Sequence, residues 1–245
     1  MYTMKHKVRY SEISPDKHIS IAQAVRYFQD CSTFHSAAVG ETIDIMEERK
    51  RAWMLSGWQL EINRYPRFGE EISINTWPHE NKGILAQRNF EMRDAEGNRL
   101  IMANSIWFYF DLQTGMPRKI MAEDVECYGV EEKLPMNYKG RKIPLPKNAE
   151  GIEKESFFVR KSDLDTNGHV NNSKYIEMAL EYVKDESKII GMRADYKKSA
   201  LLGDKISPII YEETDKIVVE LKGEDQDFVI IEFEMTERTS KNEKN

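Results

Sequence analysis

The feature that most constrains the fold of this chain is an internal duplication. Residues 14–30 read SPDKHISIAQAVRYFQD and align with residues 165–181, DTNGHVNNSKYIEMALE, when their histidines are superimposed. Each segment has a turn-forming run, a histidine, a β-branched residue and then a helix-like stretch. A second pair follows in the same order, RYPRFGEEISIN at 64–75 and KSALLGDKISPI at 198–209. Two matches in the same order predict two structurally related halves.

The same order of elements, a helix followed by several strands, is predicted in each half. Helical periodicity predicts a helix from about Ser20 to Ala38 and a second, apolar around most of its circumference, from about Asn172. The following segments alternate apolar and polar residues as strands do, at 58–64, 71–77, 85–93 and 100–111, and again at 192–197, 205–212, 216–221 and 228–237. The expected fold class is therefore α+β, with two tandem units, each a long buried helix wrapped by an antiparallel sheet. This arrangement is called a hot dog.

Proline, glycine and many charged residues concentrate between the two halves, and a short helix is expected around 122–128. We therefore expect an N-terminal domain at 1–128, a linker at 129–154 and a C-terminal domain at 155–245. Residues 239–245 are polar and are expected to be disordered.

The composition limits the classes of partner. The net charge is −6, from 36 Lys and Arg against 42 Asp and Glu, which argues against nucleic acid. No apolar run approaches the roughly 18 residues that span a bilayer, and no secretory or transit pattern is visible. The two cysteines lack metal-binding spacing and do not favour a disulfide. We expect a cytoplasmic protein without membrane contact.

The run DLDTNGHVNN at 163–172 concentrates the candidate chemistry. Asp165, Asn167 and His169 lie within five residues, Gly168 allows a sharp turn, and a helix follows. One interpretation is structural, with acidic and amide side chains capping the helix. The other is catalytic, with a carboxylate or imidazole as base and helix-terminal amides stabilising an oxyanion. No metal is expected, since two ligands are too few to define a site.

The segment DLDTNGHVNNSKYIEMALE resembles the signature of plant and bacterial acyl-acyl carrier protein thioesterases, and the runs at 53–78 and 103–120 resemble the same family. The resemblance implies hydrolysis of fatty acyl thioesters to free fatty acid and holo carrier protein, without a cofactor. The implied partner is an acyl carrier protein whose acyl chain is linked through phosphopantetheine. The family's catalytic aspartate, asparagine and histidine fall on Asp165, Asn167 and His169.

The roles of these residues stay open, because Asp165 could orient His169, act as the base or attack directly. In the plant members, a glutamate and a cysteine with assigned catalytic roles follow an E-Y-R-R run. The matching stretch here is DYKKSA, which places Ser199 and Ala200 at those positions and excludes a cysteine nucleophile there. The first-half counterpart, His18 with Asp16, lacks the full grouping and is predicted to be a non-catalytic relic.

Five further residues are candidates for substrate binding. The resemblance places the acyl chain in the first unit, where Met54, Trp58 and Trp107 are candidates to line its tunnel. Lys197 and Lys198 stand where plant members have paired arginines and are candidates to meet the acidic carrier protein. The alternatives are an acyl-coenzyme A thioesterase of the hot-dog superfamily, a hot-dog hydratase or dehydratase, and a non-catalytic acyl-thioester sensor. A homodimer is left open.

Overall fold

The first half of the chain combines a long helix with five main strands. The structure is a computed structural model that describes residues 1–147 and 149–236, so the predicted disordered tail at 239–245 lies outside the described residues, as does the last residue of the predicted strand at 228–237. The elements of the first half are β1 (Tyr2–Lys7), α1 (Ile21–Ala38), α2 (Ile43–Glu48), β2 (Arg51–Ile62), β3 (Glu71–Lys82), β4 (Leu85–Arg93), β5 (Arg99–Asp111), β6 (Met116–Pro117) and α3 (Ala122–Val125).

The second half repeats the pattern with a shorter helix. Its elements are β7 (Ile152–Glu153), β8 (Phe157–Phe158), α4 (Asn172–Leu180), β9 (Ile189–Tyr196), β10 (Lys205–Glu212), β11 (Lys216–Lys222) and β12 (Asp227–Met235). The predicted second helix therefore begins where expected but is short. It ends at Leu180, and the amides of Tyr182 and Val183 continue it only as a turn, bonded to the carbonyls of Ala179 and Leu180.

The strands of both halves form one continuous antiparallel sheet. Its order is β1-β3-β4-β5-β2-β9-β12-β11-β10-β7, with β6 paired to β5 and β8 to β10. The halves join where β2 pairs with β9, from Gly57 opposite Asp195 to Glu61 opposite Gly191. A helix packed on an antiparallel sheet in each half confirms the predicted α+β fold class, and α1 and α4 also contact each other.

Helix α1 is fixed by a cap at its start and by an apolar face. The Ser20 hydroxyl accepts a hydrogen bond from the Gln23 amide, which satisfies one of the free donors of the first turn. Ile21, Val25 and Phe28 recur at helical spacing and are fully buried against the sheet. Their burial places the opposite, polar side of α1 toward the second half.

The segment between the halves crosses the face of the sheet that lies away from α1. The Trp77 indole donates to the Glu132 carbonyl at 2.8 Å, and the Leu134 amide donates to Asn89 Oδ1 at 3.0 Å. Further along, Arg141 forms an ion pair with the buried Asp195 at 2.5 Å. The expected division into domains, with a linker at 129–154, stays a prediction. Within residues 1–147 and 149–236, no helix has the length and hydropathy to cross a membrane.

Candidate active site

The run that sequence analysis singled out forms a closed turn immediately before α4. The Asp165 amide donates to the His169 carbonyl at 2.7 Å, and the Gly168 amide donates to the Asp165 carbonyl at 3.1 Å. Gly168 has a φ of 75°, in the left-handed region that glycine tolerates best. The local sequence thus dictates a loop that brings Asp165 and His169 together through their backbones.

The Asp165 carboxylate holds this turn and still has one oxygen available. Its Oδ1 accepts hydrogen bonds from the amides of Asn167 at 2.8 Å and His169 at 3.2 Å. These bonds are the ones expected from the structural interpretation. Its Oδ2 has no hydrogen-bond or ion-pair partner in the described part of the chain. One oxygen is therefore structural, and the other is free to meet a substrate or a water molecule.

The side chains of Asn167 and His169 are presented by the same turn without being tied to it. Asn167 is exposed and His169 is half-buried. Neither side chain makes a hydrogen bond to another of the residues that the structure describes. The structure thus places the three predicted residues on one turn, but no bond between side chains joins them.

The amides at the start of α4 are less available than the sequence suggested. Asn171 Oδ1 accepts from the Ser173 amide at 2.9 Å, and the Lys174 amide donates to the Asn171 carbonyl at 2.8 Å. Within the described residues, the amides of Thr166 and Asn172 have no recorded acceptor. Together with the carboxamide of Asn167, they are the donors near Asp165 that a developing oxyanion could use.

Asp165 lines a cleft between the two halves. The cleft has a volume of about 770 Å³, with Asp165 and Thr166 on one side and polar residues of α1 on the other, namely Gln23, Arg26, Tyr27 and Asp30. Arg26 crosses to the second half, where its Nε donates to Ser173 Oγ at 3.2 Å. Asn167 and His169 are not among the lining residues.

In the described chain, no group of three or more His, Cys, Asp or Glu is arranged to hold a metal ion.

The contribution of α1 to this cleft was not predicted from the sequence. Residues 23, 26, 27 and 30 are spaced i, i+3, i+4 and i+7, so they form a polar stripe on one face of the helix. The stripe was visible in the sequence. Its partner was not, because the contact joins residues 147 positions apart.

The cleft contains carboxylates with different environments. Burial raises the pKa of Asp30 above its ordinary value. Burial also acts to raise the pKa of Glu12, but hydrogen bonds from Arg9, His6 and Tyr27 outweigh it and hold that pKa at about 2. Glu12 is therefore a fixed anion on the rim of the cleft. Asp30 lies across the cleft from Asp165, and its pKa is the one that burial raises.

The turn of the first half has the same backbone geometry but different chemistry. The Ser14 amide donates to the His18 carbonyl at 2.8 Å, as Asp165 does to His169, and Lys17 takes a φ of 68° in the place of Gly168. Ser14 therefore stands where the second half has Asp165. The first turn has no carboxylate at this position, and its lack of catalytic activity stays a prediction.

The two histidines also differ in their partners. His18 forms an isolated backbone β-bridge with Arg67, and His169 forms the corresponding bridge with Leu201. Arg67 Nε also donates to His18 Nε2 at 3.0 Å, whereas leucine has no donor in its side chain. His18 is thus engaged by a permanent cation, and within residues 1–147 and 149–236 no Lys or Arg side chain bonds to His169. The Tyr175 hydroxyl accepts from the Ala200 amide at 2.8 Å and holds the segment that follows β9 beside His169. Burial raises the pKa of Tyr175 to about 12, so it stays a neutral phenol.

The three candidates for the acyl tunnel do not share one face of the sheet. Trp58 pairs with Ser105, and its ring lies 6.1 Å from Phe28 of α1, so this face points to the helix. Trp107 lies two residues from Ser105 on the same face. Met54 pairs with Phe108 and lies on the opposite face. The reason is a β-bulge between Leu55 and Gly57, which reverses the alternation of side chains.

The basic pair and its neighbours lie on an exposed strand end. Lys197 Nζ forms an ion pair with Asp227 at 2.7 Å, while Lys198 has no ion-pair partner in the described residues. Ser199 is exposed and Ala200 is fully buried.

Neither cysteine belongs to the turn. Burial raises the pKa of Cys31 to about 12.

Comparisons with known proteins agree along nearly the whole chain. The family model described as the acyl-ACP thioesterase N-terminal domain matches residues 1–128, and the model of the C-terminal domain matches residues 147–244. A chloroplastic acyl-[acyl-carrier-protein] hydrolase of Cuphea viscosissima is 29% identical over 198 residues, which are 76% of this chain and 48% of that protein. The chain thus spans about half the length of curated relatives such as this one.

Two solved structures share the fold. An acyl-ACP thioesterase from Bacteroides thetaiotaomicron aligns with a TM-score of 0.86 at 22% identity, covering 96% of this chain and 97% of that one. The 12:0-ACP thioesterase from Umbellularia californica aligns with a TM-score of 0.84 at 18% identity, covering 97% of each chain. Agreement over both halves supports the double hot-dog architecture.

Proposed function

Because the chain belongs to the acyl-acyl carrier protein thioesterase family, we propose that it hydrolyses fatty acyl thioesters of acyl carrier protein to a free fatty acid and the holo carrier protein. The observation that carries the proposal is the free carboxylate oxygen of Asp165 in a cleft between the halves. A hydrolase needs a base or a nucleophile at the thioester carbonyl, and this oxygen can serve as either.

The residues of the turn can divide the chemistry among them. Water adds to the carbonyl carbon, the carbon–sulfur bond breaks, and the thiol leaves with a proton. Asp165 either removes the proton of the attacking water or attacks the carbonyl itself. His169, on the same turn, can act as a proton carrier, and the Asn167 carboxamide can donate to the oxyanion.

These two roles of Asp165 make different predictions for isotope labelling. If Asp165 attacks, the thiol leaves and a mixed anhydride of Asp165 and the fatty acid forms; water that then adds to the aspartyl carbonyl in a single turnover in H₂¹⁸O leaves the label in Asp165. If Asp165 is the base, the label goes only into the fatty acid. Label found by mass spectrometry in the peptide that contains Asp165 would therefore demonstrate attack by this residue.

The proposed partner is an acidic acyl carrier protein with its phosphopantetheine arm. Lys198 supports this docking because it is exposed and no described carboxylate pairs with it. Lys197 already neutralises Asp227 and supports it less. We also propose that the acyl chain enters the first half between α1 and the sheet, where Trp58 and Trp107 lie on the face toward the helix. The cytoplasmic location and a homodimer stay predictions.

The deciding experiment compares carrier-bound and coenzyme A thioesters with the same acyl chains. The proposal expects release of fatty acid from acyl carrier protein with the larger kcat/KM. A larger kcat/KM for acyl-coenzyme A would favour the alternative thioesterase. Double-bond formation or hydration without thiol release would show a dehydratase or hydratase, and binding without any turnover would show a sensor.

A further inference from the structure

Two buried polar groups on β2 have no hydrogen-bond partner. Ser56 and Trp58 are 2% and 3% exposed, and neither Ser56 Oγ nor Trp58 Nε1 finds an acceptor or donor among the described residues. Such groups are rare in folded proteins, because burying a donor without a partner is costly. Two of them, two residues apart on one strand, require an explanation.

The adjacent strand provides a direct comparison. On β5, Ser105 and Trp107 have the same spacing, and there the Trp107 indole donates to Ser105 Oγ at 2.6 Å. Ser105 in turn donates to the Arg88 carbonyl at 3.4 Å. Ser105 is the register partner of Trp58, yet it bonds to Trp107 instead. The pair on β5 is therefore satisfied internally, and the pair on β2 is not.

The indole of Trp58 lies in the interior of the first half, and Ser56 is buried two residues before it. The Trp58 ring packs 6.1 Å from Phe28 of α1 and 5.0 Å from Phe90 of β4, so it lies between helix and sheet. Ser56 is the extra residue of the bulge between Leu55 and Gly57. A bulge of this kind re-aims a side chain locally.

The pair also lies at the junction of the two halves. Gly57 and Trp58 pair with Asp195 and Ala194 of β9. The next residue of β9, Tyr196, donates its hydroxyl to the Asn172 carbonyl at the start of α4 at 3.0 Å. Trp58 therefore lies beside the strand that connects, through Tyr196, to the start of α4.

We propose that Ser56 and Trp58 bind an oxygen substituent on the acyl chain, so that the substrate class is fatty acyl chains bearing a hydroxyl or oxo group. This inference rests on the proposed function. The indole N–H can only donate, so its partner must be an acceptor atom, and a serine hydroxyl can donate or accept. A plain hydrocarbon chain would leave both groups unpaired. A site with buried polar groups discriminates against substrates that cannot bond to them.

The test uses three thioesters of acyl carrier protein with equal chain length: dodecanoyl, 3-hydroxydodecanoyl and terminally hydroxylated dodecanoyl. We expect the wild-type protein to favour at least one hydroxylated chain over dodecanoyl in kcat/KM. Ser56→Ala should lower this ratio about three- to tenfold, the effect of one hydrogen bond in a buried site. Trp58→Phe, which removes the N–H group, should lower it in the same direction.

The matched control is Ser105→Ala, which removes a buried serine hydroxyl that already has partners. It should leave the ratio within about twofold of wild type while lowering the thermal midpoint. Ser56→Ala should keep or raise the midpoint, because it removes an unpaired group. If Ser56→Ala leaves the ratio unchanged, whatever happens to its thermal midpoint, the role of Ser56 is purely structural and the inference is overturned.

Preference for dodecanoyl over both hydroxylated chains would also overturn it and would leave the proposed hydrolase function intact. If no thioester is cleaved, the proposed function fails, and calorimetry then decides the inference separately. In that case, 3-hydroxydodecanoate or terminally hydroxylated dodecanoate should bind wild type more tightly than dodecanoate, and Ser56→Ala should remove the difference. Equal binding of all three acids would contradict the proposal.

Discussion

Replacing Asp165 by asparagine separates the role of this side chain in holding the turn from its proposed role as base or nucleophile. Asparagine has nearly the same shape, and its Oδ1 can still accept the amides of Asn167 and His169, which now bond to Asp165 at 2.8 and 3.2 Å. The turn should therefore persist. What the substitution removes is the negative charge and the free basic oxygen Oδ2.

The expected cost in stability follows from the two hydrogen bonds that lose their charged acceptor. Bonds to charged groups contribute about 1 kcal/mol more than neutral ones, and the turn is partly exposed, so we expect a loss of about 1–2 kcal/mol. For a chain of this size, that corresponds to a fall of roughly 2–8 °C in the thermal midpoint. With a typical stability of about 5–15 kcal/mol, nearly all molecules remain folded at 25 °C.

The expected loss of activity is larger and has a different origin. If Asp165 is base or nucleophile, kcat/KM for an acyl-carrier thioester should fall at least roughly 100-fold, the lower end of what a general base supplies. This loss is about 2.7 kcal/mol of transition-state stabilisation. Unfolding cannot account for it, because the folded fraction hardly changes.

The assay measures release of the carrier thiol at 25 °C, with the thermal midpoint recorded on the same samples. The matched control is Asp163→Asn. Asp163 also accepts a backbone amide, from Arg160 at 2.8 Å, and also lines the cleft. Because it accepts one amide bond instead of two, Asp163→Asn should lose about half as much stability, and it should stay within a few-fold of wild-type turnover. A folded Asp165→Asn protein with near wild-type kcat/KM would show that this turn is not the catalytic site.

Three further predictions concern the rest of the molecule. His18→Ala should stay within a few-fold of wild-type turnover, since its turn has Ser14 in place of the carboxylate; a hundred-fold loss in a folded protein would place the chemistry in the first half. Lys198→Glu should weaken use of a carrier-bound substrate more than use of a small thioester, with a difference that shrinks at high salt, and Lys197→Gln, which breaks the Asp227 pair, should mainly lower the thermal midpoint. Glu12 has a pKa lowered from 4.5 to about 2, so its stabilisation is complete above about pH 4.5 and is lost as the pH falls toward 2; the midpoint difference between wild type and Glu12→Gln should shrink over that range, and a constant difference would contradict this account.

The duplication predicted the fold well because helix caps and the alternation of strand residues can be read from neighbouring residues in the sequence. The start of α1 was predicted at Ser20, which caps it, and the strands β4 and β10 have the predicted bounds. The strand β2 was predicted from Trp58 but begins at Arg51. Its bulge adds one residue and breaks the two-residue alternation, so the first part of the strand does not look like a continuation of the second.

The same bulge explains why the spacing of the acyl-chain candidates in the sequence does not predict which face of the sheet each one occupies. Counting by two places Met54 and Trp58 on one face, and the extra residue moves Met54 to the other. The candidate turn was located because its residues are adjacent in sequence. The opposite wall of its cleft was not, because α1 meets α4 only in the folded chain, through contacts such as that of Arg26 with Ser173.

The difference between the two histidines allows the role of His169 to be tested without removing it. Arg67 holds His18 Nε2 at 3.0 Å, and Leu201 occupies the corresponding place beside His169. Leu201 is 51% exposed, so Leu201→Arg should fold, and its guanidinium can reach the imidazole as Arg67 does. A permanent cation donating to Nε2 would oppose protonation of the ring and occupy its acceptor.

If His169 carries a proton during turnover, Leu201→Arg should therefore lower kcat/KM toward the roughly 100-fold loss expected when a general base is removed. The acidic limb of its pH profile should move to lower pH, because the added cation disfavours the imidazolium. Arg67→Leu is the reciprocal control and should leave turnover within a few-fold, since it frees a histidine that has no carboxylate at the position of Asp165. A folded Leu201→Arg protein with wild-type rate and an unmoved pH profile would exclude Nε2 of His169 from the proton transfer and leave Asp165 as the sole base or nucleophile of the turn.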